Sequence, residues 1–124
     1  MDLIAELADT DAGTACCASI VGETVSAEDA ALLAARFKAI GEPTRLRLLS
    51  LVAATEGQEA CVCDLTEPVG LAQATVSHHL KVLVDAGLLT RSRRGTWSFY
   101  GLVPGALDDL AALLATPTGA AAGG

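Results

Sequence analysis

Residues 73–100 read QATVSHHLKVLVDAGLLTRSRRGTWSFY, and the fold is decided there. Val76, Leu80 and Leu83 recur at helical spacing and give one side of the segment an apolar stripe. The spacing predicts a helix from about Gln73 to Ala86, closed by Gly87 in the position where helices turn left-handed. The opposite side carries Gln73, Thr75, Ser77, His78 and Lys81, a polar face with one positive charge and no acid until Asp85. Leu88 to Arg93 then predicts a strand, Arg94-Gly95 a turn, and Thr96 to Tyr100 a returning strand of β-branched and aromatic residues. The product is a β-hairpin with a basic tip, directly behind a polar-faced helix.

Working outward, Cys61 to about Glu67 predicts a short helix broken by Pro68 and Gly70. Two helices joined by a short glycine-containing turn make a helix-turn-helix. Upstream, Pro43 fits the first turn of a helix to about Ala54, with Leu46, Leu49, Leu48 and Val52 facing inward. Before it, Ser26 as N-cap and Asp29 three residues later open a helix over Ala27 to Ile40, with Leu33, Phe37 and Ile40 as its stripe. Pro104 opens a last helix to Leu114, with Leu107, Leu110 and Leu114 aligned. The expected fold is mainly α with a small β-hairpin, a winged helix-turn-helix over residues 26–115. Residues 1–25 are expected to form a short helix and a mobile arm carrying Cys16 and Cys17, and residues 116–124 a disordered tail.

The chain has 124 residues, the length of one ordinary domain. Hydrophobic residues make up 52% of it and only four are aromatic, so the core must be Leu, Val and Ala packing. A core that small is marginal alone, and a dimer buries more. No apolar run reaches the length of a membrane span, and the acidic start MDLIAELADTD lacks the basic head of a signal peptide. A cytoplasmic protein is expected. The net charge of −7 argues against nucleic acid until its distribution is considered. Residues 1–35 hold seven acids and no Lys or Arg, whereas residues 71–100 hold Lys81, Arg91, Arg93 and Arg94 against Asp85 alone. A phosphate backbone responds to charge within a Debye length, so the local patch outweighs the total.

A major groove admits one helix and offers donors and acceptors on its base edges. Short polar side chains near a helix N-terminus suit that edge, which assigns Gln73, Thr75, Ser77 and His78 to base contact, with Lys81 beside them. Arg93 and Arg94 suit phosphate or the minor groove. Taken singly each residue has a plainer reading, an exposed polar side chain. The order of helix, turn, polar-faced helix and basic hairpin is far more specific.

Three further stretches sharpen this. Ala39-Ile40-Gly41-Glu42-Pro43-Thr44-Arg45-Leu46-Arg47-Leu48-Leu49 resembles the opening signature of the ArsR/SmtB family of metal- and arsenic-sensing repressors. Ala60-Cys61-Val62-Cys63-Asp64-Leu65 resembles that family's cysteine box, and Gln73 to Leu83 its recognition helix. The resemblance implies a homodimer pairing through its terminal helices, binding to double-stranded operator DNA, repression of a resistance operon and release when the inducer binds. The family's other site, a zinc site of His and carboxylates on the last helix, has no counterpart here, since Pro104 to Leu114 contains no His.

The four cysteines fall in two pairs, Cys16-Cys17 and Cys61-Val62-Cys63. A structural disulfide is not expected in the cytosol, so paired thiols point to soft-ion binding or redox chemistry. Thiolates select As(III), Sb(III), Cd(II) or Pb(II). On a helix, residues two apart point about 200° away from each other, so Cys61 and Cys63 can share an ion only if the helix starts late or distorts. Cys16 and Cys17 with one of Cys61 and Cys63 make the simplest site. Three sulfurs suit As(III) or Sb(III), and four suit Cd(II) or Pb(II). A redox-sensing repressor that forms disulfides is the alternative without a metal. An enzyme is not expected, because no partner base stands beside either pair.

Overall fold

The computed structural model describes residues 24–115. The expected helix at 1–10, the arm with Cys16 and Cys17, and the tail at 116–124 lie outside the described residues. Contacts divide the chain into two units, Ala31–Ala106 and the flanking segments Met1–Ala30 with Leu107–Gly124.

Helix α1 (Ala27–Ile40) begins in the flanking unit and ends in the other. Its cap is the predicted one: Ser26 Oγ accepts the Asp29 N–H at 3.1 Å. Ala39 is its buried residue, while Leu33, Phe37 and Ile40 are half-buried. Helix α2 (Pro43–Ala54) starts on Pro43 and is capped by Glu42, whose Oε1 accepts the Arg45 N–H at 2.9 Å. Leu48, Leu49 and Val52 are buried, but Leu46 is 53% exposed rather than inward. The cause is angular: Leu46 lies about 110° round the helix from the centre of the stripe that the other three form.

A turn over Glu56–Gln58 leads to strand β1 (Glu59–Cys61), an element too short to show alternation in the sequence. It takes up Cys61, so helix α3 (Val62–Val69) starts one residue later than expected. Pro68 does not break α3. It sits in the last turn, where its missing N–H costs a single bond, and the helix closes at Gly70 with φ 71°. Helix α4 (Gln73–Asp85) follows, with Val76, Leu80 and Leu83 wholly buried. Its end is a Schellman motif: Leu88 N–H donates to the Leu83 carbonyl and Gly87 N–H to that of Val84, each at 3.0 Å, with Gly87 at φ 83°.

Strands β2 (Leu89–Arg94) and β3 (Trp97–Leu102) form the hairpin. Arg94 faces Trp97 across it, so the turn is Gly95-Thr96, one residue beyond the expected place. Gly95 at φ 65° gives the pattern that matches the twist of a two-residue hairpin. The sheet is three-stranded and antiparallel in the order β1-β3-β2. Leu48, Leu65, Leu80, Leu83, Leu88 and Leu89 are the largest fully buried side chains, each contributing about 1.5–3 kcal/mol by leaving water.

Helix α5 (Ala106–Leu114) begins two residues after Pro104, because Pro104-Gly105 form a turn. Leu110 and Leu113 are its buried leucines, and Leu114, expected inward, is 57% exposed at the helix end. Among the described residues no helix is long and apolar enough to cross a membrane.

Candidate nucleic-acid interface and thiol pair

The stripe that anchors α4 fixes which side it shows to water. With Val76, Leu80 and Leu83 buried, Gln73, Thr75, His78 and Lys81 are exposed and Ser77 is half-buried. Gln73, Ser77 and Lys81, spaced by four, follow one line along the helix, and Thr75 and His78, spaced by three, follow another, both outside the buried stripe. Ala72 caps the helix without a side-chain hydrogen bond, which leaves the first-turn N–H groups to outside acceptors. Lys81 Nζ is 2.8 Å from Asp85 Oδ2, an exposed pair one turn apart that holds the ammonium near the helix surface.

The helix is held from behind by α2. Arg45 Nε donates to the Ala39 carbonyl at 2.6 Å, and its NH1 lies 3.3 Å from His79 Nδ1. A guanidinium only donates, so Nδ1 accepts and the ring proton sits on Nε2. His79 is thus a structural tie between α2 and α4, not part of the outer face. The Arg45 N–H bond that caps α2 also holds the Glu42 carboxyl below the usual carboxylate range.

Between α4 and the hairpin runs a groove of about 670 Å³. Gln73, Ser77 and Lys81 line it from the helix, and Arg91, Arg93 and Trp97 from the hairpin. Register explains the two arginines. Arg91 faces Tyr100 and Arg93 faces Ser98, so both stand on the side of the sheet where Tyr100 is buried. Arg91, not among the predicted contacts, also donates to Ser98 Oγ at 3.1 Å. The alternation of Arg91-Ser92-Arg93 was the signal that could have found it.

Arg94 belongs to the other side. Its guanidinium stacks on Phe99 at 4.5 Å from the ring centroid and its NH2 donates to Glu59 Oε2 at 2.8 Å. The sequence placed Arg93 and Arg94 together at a basic tip. The structure separates them, because Arg94 is a strand residue and consecutive strand residues point oppositely.

Cys61 and Cys63 also differ from expectation. Cys61 ends β1 with extended backbone (φ −74°, ψ 146°) and acts as the N-cap of α3, its Sγ accepting the Cys63 N–H at 3.2 Å. The helix does start late, so the 200° separation does not apply. The two Cα atoms are 5.1 Å apart and the sulfurs meet as a Cys61–Cys63 disulfide, contrary to the expectation of free thiols. Cys61 is buried and Cys63 exposed. Among the described residues no cluster of three or more His, Cys, Asp or Glu is placed to hold a metal ion. Cys16 and Cys17 lie outside those residues.

Residues 42–91 match the arsR family of bacterial regulatory proteins. An uncharacterised HTH-type transcriptional regulator of Methanocaldococcus jannaschii is 40% identical over 78 residues, 63% of this chain and 85% of that protein. The arsenical resistance operon repressor of Bacillus subtilis is 42% identical over 67 residues, 54% of this chain and 62% of that protein. Among solved structures, an antimony-specific transcriptional repressor is 33% identical with a TM-score of 0.61, covering 72% of this chain and 79% of that one. A homodimeric winged helix-turn-helix DNA-binding domain from Mycobacterium bovis is 28% identical with a TM-score of 0.56, covering 72% and 80%.

Proposed function

This chain belongs to the ArsR family of bacterial regulatory proteins, and from that premise we propose a cytoplasmic, homodimeric repressor that leaves its operator when As(III) or Sb(III) binds its cysteine thiolates. The observation that carries this is the Cys61/Cys63 pair, two converging sulfurs built into the DNA-binding unit where β1 becomes α3. Soft thiophilic ions suit such a pair in the reduced state, and Cys16 or Cys17 supplies the remaining sulfur. The relatives that carry arsenical and antimony names support the same inducer class.

On DNA, Gln73, Thr75, Ser77 and His78 read base edges in the major groove, and Lys81 lies beside them. Arg91 and Arg93 hold the phosphate strand that passes along the groove. Two copies place two such helices on half-sites about one DNA turn apart. The homodimeric relative supports the pairing, as do the exposed Leu32 and Leu114, apolar side chains that a partner can cover. Release follows from linkage: an ion that binds the DNA-free conformation more tightly lowers operator affinity by that difference.

Cd(II) or Pb(II) is the second reading, favoured by one observation. Because both Cys61 and Cys63 converge, joining Cys16 and Cys17 gives four sulfurs, a set that suits a tetrahedral ion. An operator titration by fluorescence anisotropy with reduced protein, repeated with As(III), Sb(III), Cd(II), Pb(II) and Zn(II), separates the two. Release by As(III) at the lowest concentration is expected. Release by Cd(II) far below that concentration would install the second reading, and no release by any ion would overturn both.

A further inference from the structure

The strand that the sequence concealed connects the thiol pair to the wing. Cys61 faces Phe99 across β1 and β3, and Glu59 faces Gly101. Residues that face one another, or lie two apart, share a side of a sheet. Glu59, Cys61, Phe99 and Arg94 therefore stand on one side, the side away from the groove, whereas Trp97, next to the turn, reaches the groove. Strands β1 and β2 do not touch as neighbours, since β3 lies between them. Arg94 closes that gap: it starts on β2, crosses the ring of Phe99 on β3, and ends on Glu59 of β1. Glu59 is two residues from Cys61, and Arg94 adjoins both Arg93 and the turn.

We infer that the Glu59–Arg94 ion pair is the link by which an ion at Cys61 and Cys63 moves the wing. The inference rests on the reading of that pair as the inducer site. An ion that bridges the Cys61 and Cys63 sulfurs displaces the end of β1. Backbone pairing passes part of that displacement to β3, and the ion pair passes it across β3 to the tip of β2. Arg93, one residue away, then loses its place along the groove. Glu59 acts as a positioning residue in this scheme and touches neither ion nor DNA. An exposed pair is weak, so cutting it reduces the coupling and does not abolish it.

Trp97 gives a direct readout. It is the single tryptophan of the chain, half-exposed, opposite Arg94 and about 7 Å along β3 from Phe99. The test compares the reduced parent with Glu59→Gln by three measurements: arsenite binding by sulfur–arsenic absorption, Trp97 emission, and operator affinity with and without arsenite. Glu59→Gln is expected to bind arsenite and, without it, operator as the parent does. Its Trp97 response should shrink, and arsenite should weaken its operator binding about two- to fivefold less than in the parent, the range exposed pairs carry. A parent-like response in both readouts overturns the link. The second arm loads Cys61 and Cys63 alone, using phenylarsine oxide on the Cys16→Ser/Cys17→Ser background. A Trp97 response there that depends on Glu59 supports the link even if arsenite fails to release DNA, which would overturn the inducer reading instead. Loading of the pair with no change at Trp97 overturns the link whatever the inducer proves to be.

Discussion

Removing Arg91 and Arg93 together should flatten the salt dependence of operator binding, and removing Arg94 should not. Arg91 and Arg93 line the groove beside α4, whereas Arg94 is on the opposite side of the sheet, paired with Glu59 at 2.8 Å. Each phosphate contact releases counterions and contributes about 0.9 to the slope of log K against log salt. Two arginines in each of two protomers make four contacts, so Arg91→Gln/Arg93→Gln should lower the slope by about 3.6. Between 50 and 200 mM salt the variant then loses roughly a hundredfold less affinity than the parent. Fluorescence anisotropy on a labelled operator across that salt series measures it, and far-ultraviolet circular dichroism checks the fold. Arg94→Gln should leave the slope unchanged, since its charge is already met within the protein. A slope that falls by about 1.8 in Arg94→Gln, or stays put in the double variant, refutes the division of the arginines by sheet side.

The thiols predict that Cys16→Ser/Cys17→Ser binds operator normally but loses most of its arsenite response, while protein oxidised to the Cys61–Cys63 disulfide loses the response until reduced; X-ray absorption on the arsenite complex should report three sulfur neighbours. Leu80→Ala removes a wholly buried side chain behind α4 and should cost about 2–5 kcal/mol in urea unfolding, with operator binding lost in proportion to the unfolded fraction. Glu42 has a folded-state pKa below its unfolded value, so its contribution is present above the usual carboxylate range and is lost as pH falls through the depressed value. Thermal melts should show Glu42→Gln less stable than the parent at neutral pH, with the difference closing as the buffer is acidified.

Much of this fold was legible because its signals are local. Ser26, Pro43, Gly70 and Gly87 mark helix ends through capping chemistry, and Val76, Leu80 and Leu83 declare the buried side of α4 by spacing alone. Strand β1 was not legible, since Glu59-Ala60-Cys61 has no period of its own and exists by pairing with Tyr100 and its neighbours forty residues away. That omission left the cysteines undecided: within one helix Cys61 and Cys63 diverge, but as strand end and helix start they converge. Arg94 was misplaced for a related reason. Its neighbour Arg93 shares its charge and not its direction, and which of them belongs to the turn is settled by tertiary pairing.

The two-residue turn at Gly95-Thr96 also limits how this wing can change in length. Arg91 and Arg93 meet the groove only because β2 alternates from Leu89, which is buried beneath the sheet. Insertion of one residue between Leu89 and Arg91 would exchange the two sides, turning Ser92 and Arg94 toward α4 and breaking the tie to Glu59. Insertion of two, matched by two more on β3, would restore the alternation and extend the reach of the tip by one repeat. A longer wing is therefore accessible by even steps, and an odd step at this point turns Arg91 and Arg93 away from the groove and Arg94 toward it.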